Sequence, residues 1–176
     1  MMPGMPKADE APESPGTILC KSCGLCCTGH LFSWVRLKAS ELDPSQALGL
    51  NVIRSDPRQR GFTQPCPLWQ GQCTVYTSPH YPRGCRTYQC KQLREVLDEN
   101  IQLPESLNVI QRAKEMIDEV EMLLSPAPNL SFRERLIAQM RQVDAESELR
   151  IKADALLVFF DTYFGVNDFF DGAGEG

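Results

Sequence analysis

Apolar positions recur at a helical period in the second half of the chain and not in the first. From residue 92 the pattern predicts a short helix over 92–101 that stops near Pro104. Ser106 then caps a longer helix, whose Ile110, Ala113, Ile117, Val120 and Leu124 fall on one face. Ser125-Pro126-Ala127-Pro128 breaks it. Ser131 and Glu134 have the spacing of a capping box, and Leu136, Ile137, Met140 and Val143 follow as the inward face of a third helix. A fourth runs from about Ser147 to Phe164 and ends at Gly165. Within it, residues 155–160 are apolar all round, which predicts a central place in the core.

The first half reads differently. Residues 30–37 alternate and carry aromatics, as a strand does. Ser40 is placed to cap a short helix that Gly49 would end. Residues 54–65 read as a charged loop and 73–76 as a short strand, followed by a Pro-rich turn to Cys85. The expected fold is α+β and mostly α, a loop-rich, cysteine-ligated half packed on a C-terminal helical bundle. Its expected divisions are a disordered tail over 1–17, a cysteine-cluster metal-binding region over 18–91, a helical region over 92–165 and a flexible tail over 166–176. In that last stretch, Asp168-Phe169-Phe170-Asp171 is expected to dock on the core.

Hydrophobic residues make up 42% of the chain, enough to fill the core of one compact domain. No stretch reaches the ~20 apolar residues of a membrane span. The first sixteen residues have no apolar core of a secretory signal. A cytoplasmic location is therefore expected, where thiols stay reduced.

That expectation gives meaning to the cysteines. There are eight, and Cys20, Cys23, Cys26 and Cys27 fall within eight consecutive residues. Cys66, Cys73, Cys85 and Cys90 complete the set, and none follows. Crowding of this kind in a reducing compartment points to metal ligation rather than a disulfide framework. In C-x2-C a turn brings two sulfurs to one ion, which fits Cys20 with Cys23 and Cys23 with Cys26. Gly24 suits the positive φ that such a turn uses. Consecutive Cys26 and Cys27 point apart, so they are poor partners at one ion and good bridges between two sites. Eight thiolates make two closed zinc sites of four sulfurs each. The C-x2-C-x2-C run with a remote Cys66-Pro67 equally suits an iron–sulfur cluster. Thiolates accept both metals, and zinc, iron and an iron–sulfur cluster all stay open as the cofactor.

Charge supports the same centre. Residues 20–95 hold ten basic and four acidic side chains, a net +6, while the chain as a whole is −5, which leaves −11 elsewhere. A basic half suits nucleic acid. It also suits thiolates: eight of them on two divalent ions leave a residual −4 that basic neighbours stabilise. The thiolate explanation is preferred, so neither nucleic acid nor membrane is the expected partner, and a protein partner stays open.

Other side chains near the cysteines receive plainer roles. His30 and His80 are read as surface or capping histidines before ligands. Tyr76, Tyr81 and Tyr88 are read as covers that keep water from the site, and Trp34 and Trp69 as core residues.

The run Cys20-x2-Cys23-Gly24-x-Cys26-Cys27, with Cys66-Pro67-Leu68, Cys73-Thr74-Val75-Tyr76 and Pro82-x2-Cys85-Arg86-x-Tyr88-x-Cys90, resembles the YkgJ-type cysteine-cluster proteins. These are described as zinc- or iron-chelating CxxCxxCC domains, and a similar cluster occurs in flagellin lysine methylases. The resemblance covers residues 20–90. Where the family usually has Arg-Pro before the third later cysteine, Tyr81-Pro82 stands here, with Arg83 adjacent. Metal chelation is what the resemblance implies; it names no reaction. The expected function is thus a cytosolic metal-binding protein. The alternatives are a metal- or iron–sulfur-dependent enzyme of redox or methyl-transfer type, or an interaction module. Phosphate-binding glycine loops and a nucleophile elbow are absent from the sequence.

Overall fold

The computed structural model describes residues 12–167. Seven α-helices and three short strands follow in the order α1 (Pro15–Cys23), β1 (Trp34–Arg36), α2 (Leu42–Ala47), β2 (Val52–Ile53), β3 (Gly61–Thr63), α3 (Arg83–Thr87), α4 (Lys91–Leu97), α5 (Leu103–Glu121), α6 (Phe132–Met140) and α7 (Glu148–Phe159). A single 3-10 turn, Ala39–Glu41, precedes α2, and a π turn, Phe160–Phe164, prolongs α7. The mixed, mostly helical class expected from the sequence is what the chain adopts.

α1 corrects the expected tail. Residues 15–17 belong to a helix, because Ser14 Oγ accepts from the Thr17 N–H at 3.2 Å and Pro15 supplies a preset φ at the first turn. The helix ends at Gly24, whose φ of 73° is left-handed. α1 packs on α4 and α5. The boundary expected at residue 91 therefore does not separate two halves: Leu19, Leu25, Leu31 and Phe32 share one core with the apolar faces of α5, α6 and α7. Buried Arg133 fastens this join, its guanidinium donating to the Leu31 carbonyl at 2.7 Å.

In the helical part, the face of Ile110, Ala113, Ile117 and Val120 is buried as its period predicts. Ser131 and Glu134 form the capping box, and Gly165 closes the last helical turn with φ 70°. Ser106 is not a cap. Gln102 is, Pro104 opens the helix instead of stopping its predecessor, and Ser106 lies fully buried inside it. There its hydroxyl meets Gln92 Oε1 at 2.8 Å, while Gln92 Nε2 donates to the Tyr163 carbonyl at 2.9 Å. The run 155–160 is not central throughout: Leu156 and Phe160 are buried, but Val158 is 65% exposed. Val166, expected in a flexible tail, is a core residue. Residues 1–11 and 168–176, including the expected docking of 168–171, lie outside the described residues.

The sheet is antiparallel with order β1-β3-β2. Its central strand lies in the stretch read as a loop. Gly61 is required there, since a Cβ would stand 2.1 Å from the Val35 carbonyl oxygen. β1 covers only three of the eight alternating residues. The short helix is entered through Lys38, whose N–H donates to Glu41 Oε2 at 2.7 Å, and not through Ser40. Residues 73–76 form a turn in place of a strand, with one bridge between Trp69 and Cys73. Val35, Leu37, Leu42, Leu50 and Phe62 make a second, smaller core under the sheet.

Candidate metal centre

The cysteines come from five places in the fold. Cys20 and Cys23 sit three residues apart on α1, a spacing that puts both on one helix face. They are therefore presented by a helix and not by the turn that the sequence suggests. After the left-handed Gly24, Leu25 turns into the core and Cys26 and Cys27 follow. Cys66 leads a tight turn, its carbonyl accepting from the Trp69 N–H at 3.2 Å. Cys73 is bridged to Trp69. Cys85 is in α3, which packs on β1. Cys90 is the N-cap of α4, and its sulfur accepts from the Leu93 N–H at 3.5 Å.

Two backbone bonds tie the later cysteines to the first cluster. The Cys66 N–H donates to the Cys27 carbonyl at 2.6 Å, and the Cys73 N–H to the Lys21 carbonyl at 3.4 Å. Cys20, Cys23, Cys26, Cys27 and Cys90 line a cavity of about 60 Å3, walled otherwise by apolar groups such as Leu19, Ile110 and Phe164. A wider opening of about 230 Å3 is lined by Cys20, Cys85, Tyr76, Tyr81, Tyr88 and Arg86. All three tyrosines expected near the cysteines line this opening. Tyr76 and Tyr81 rings lie 5.3 Å apart, Tyr88 meets Phe32 edge-on at 5.0 Å, and the Arg86 guanidinium lies 5.7 Å from the Tyr81 ring.

All eight cysteines are free thiols and each is half-buried. Burial pushes the Cys20 thiol up to about 11, and Cys23 and Cys85 up to about 12, with thiol neighbours adding to the effect. Burial raises Cys26, Cys27, Cys66 and Cys90 as well. Without a compensating cation these groups are neutral at pH 7. Working the other way are backbone N–H groups: Leu25 at Cys23, Leu68 and Trp69 at Cys66, Leu93 and Gln92 at Cys90. Such donors stabilise a thiolate more than a thiol. Among the described residues, no group of three or more His, Cys, Asp or Glu side chains stands close enough, as placed, to hold a metal ion.

His30, expected at the surface or as a cap, is half-buried and lines an opening with Cys23. His30 Nδ1 lies 2.6 Å from Thr28 Oγ1 and its ring packs on Phe132; burial lowers its pKa. His80 is exposed. Trp34 is in the core, but Trp69 is half-buried and lies on Gly24. The sequence carries a signal for that contact in hindsight, a glycine within the cluster where any Cβ would meet the indole.

No helix among the described residues is long and apolar enough to cross a membrane. Comparison with family models, curated proteins and solved structures returned no match.

Proposed function

We propose that the protein is a cysteine-thiolate metal-binding protein that takes zinc or iron, the latter as single ions or as an iron–sulfur cluster. One observation carries the reading. Five of the eight thiols, from α1, the turn that follows it and the N-cap of α4, line one cavity with no disulfide among them, and the Leu93 N–H donates to the Cys90 sulfur. Thiols crowded together and left unpaired suit thiolates on a metal, and an N–H donor stabilises the charged form. Rotation about Cα–Cβ moves each sulfur between staggered positions without moving the backbone. That freedom is the route by which the thiols converge on an ion. The likeness of the 20–90 pattern to zinc- or iron-chelating domains agrees with this reading.

A second reading, an enzyme using the centre for redox or methyl-transfer chemistry, draws on the 230 Å3 opening beside Cys20 and Cys85. The lining of that opening offers tyrosines and Arg86 but no carboxylate or imidazole for acid–base work. Chelation is therefore the preferred conclusion. The test is anaerobic purification from the native host, followed by metal analysis and a visible spectrum. Bound zinc in a colourless protein, or iron and sulfide in a brown one, supports chelation. A folded chain that carries neither and pairs its cysteines as disulfides contradicts it.

A further inference from the structure

Resting on the chelation reading, we infer that the eight thiols serve two unequal centres: an inner one of Cys20, Cys23, Cys26 and Cys90, set against the helical core, and an outer one of Cys27, Cys66, Cys73 and Cys85, more open to exchange.

The division follows the two cores. Cys23, Cys26 and Cys90 pack against the large core of the helices. Cys66 and Cys85 pack against the small core under the sheet. The peptide bond between Cys26 and Cys27 crosses from one set to the other: Cys26 feels Cys23 and Cys90 most strongly among the thiols, and Cys27 feels Cys85 and Cys66. Cys27 also lines the inner cavity, but its carbonyl accepts the Cys66 N–H on the outer side; Cys20 lines both the inner cavity and the outer opening. It goes with the inner set because it is one helical turn from Cys23 and nearest in charge to Cys90.

The two environments differ in two ways that bear on exchange. Access is the first. The inner cavity is small and walled by apolar side chains, whereas Cys66 and Cys73 lie in a loop whose Pro65, Pro67, Gln70, Gly71 and Gln72 are all exposed. Charge is the second. Four thiolates on a divalent ion carry a net −2. Lys114 and Arg94 bring positive charge to Cys23 and Cys90, while at Cys85 the negative charge of Glu41 offsets the positive charge of Arg86, which lines the same opening. Lys21 is near Cys73, but Glu13 already holds its ammonium at 2.6 Å. A chelator in solution thus meets the outer ion first and finds it less strongly held.

The experiment loads the full chain with Zn2+ under anaerobic, reducing conditions and follows release to excess EDTA with a zinc-sensitive dye. Two ions per chain leaving in two equal phases, separated at least tenfold in rate, support the inference. Cys66→Ser should then remove the fast phase and keep the slow one, and Cys90→Ser the reverse. Release of both ions in one phase, a single ion per chain, or loss of both ions in either variant while the chain stays folded overturns the division but leaves chelation standing. A folded chain that retains no zinc and, after loading with Fe2+ and sulfide, no iron overturns chelation itself. The wild-type release curve needs no variant, so a misfolded serine variant leaves that arm of the test decisive.

Discussion

The Cys66 N–H donates to the Cys27 carbonyl at 2.6 Å, joining two cysteine-bearing stretches through the backbone and not through their side chains. The 66–73 loop is further held by the Leu68 carbonyl, which accepts from the Thr74 N–H at 3.3 Å and hydroxyl at 2.6 Å, by the bridge from Trp69 to Cys73, and by the bond from the Cys73 N–H to Lys21. Metal in the outer centre should add the restraint that these lack. Hydrogen exchange at the Cys66 and Cys73 amides is expected to slow at least tenfold on addition of Zn2+, with amides in the middle of α5 unchanged. Equal exchange with and without metal at both cysteines would count against ligation there.

Gly24→Ala is expected to damage the cluster from one side. The φ of 73° costs an L-residue about 1–2 kcal/mol. Independently, the new Cβ would stand 2.2 Å from Cζ2 of Trp69, so the indole must leave. A urea transition should move to lower midpoint. In a Trp34→Phe background, Trp69 emission should shift to the red as the ring meets water. An unshifted emission would show that Trp69 does not sit on Gly24.

Ser106→Ala leaves Gln92 Oε1 without its hydroxyl partner in a fully buried place. An unpaired buried acceptor costs roughly 1–3 kcal/mol. The loss should appear in equilibrium unfolding of the metal-free chain, with zinc stoichiometry unaltered, because the side-chain pair braces α4 on α5 and supplies no thiol. Wild-type stability in this variant would mean the bond contributes nothing.

The thiols set the alkaline limit of the metal-free protein. An ordinary thiol has the reference value of 9.0, while burial pushes folded Cys20 up to about 11 and Cys23 and Cys85 up to about 12. Between those values the unfolded chain has lost protons that the folded one keeps, so rising pH favours unfolding. Stability from these groups is whole below about pH 8.5 and is lost as pH climbs toward 12. With metal bound the thiolates are already formed in the folded state, and the alkaline loss should vanish. Thermal midpoints of both forms at pH 8 and pH 10 check this; a metal-free midpoint that holds steady would contradict it.

Much of the helical half was legible because its signals are local. Ser131 and Glu134 lie three apart and the face of α5 repeats every turn, so no distant residue is needed to read them. Ser106 misled because a serine before an apolar run looks like a cap whether its hydroxyl meets a backbone N–H or, as here, a glutamine fourteen residues back. β3 was missed since three residues, one of them Gly61, carry no period of their own and become a strand only between β1 and β2. Residues 73–76 have the composition of a strand but find only a single bridge.

At the site, residue type was readable and grouping was not. Chain order puts Cys26 beside Cys27, yet Cys26 packs on the large core while the Cys27 carbonyl takes the Cys66 N–H, and Cys90, last in the chain, lines one cavity with the first four. That arrangement depends on α1 packing against α4, which no spacing of cysteines encodes.

Thiol protection is the most direct measure of whether these sulfurs hold metal. The metal-free, reduced chain is titrated with Zn2+ and pulsed with an alkylating agent, and modified cysteines are counted by mass. The account predicts that modification falls from the full set to none as two ions per chain are taken up. Cysteines that alkylate equally fast at every zinc level, in a chain that stays folded throughout, would contradict it.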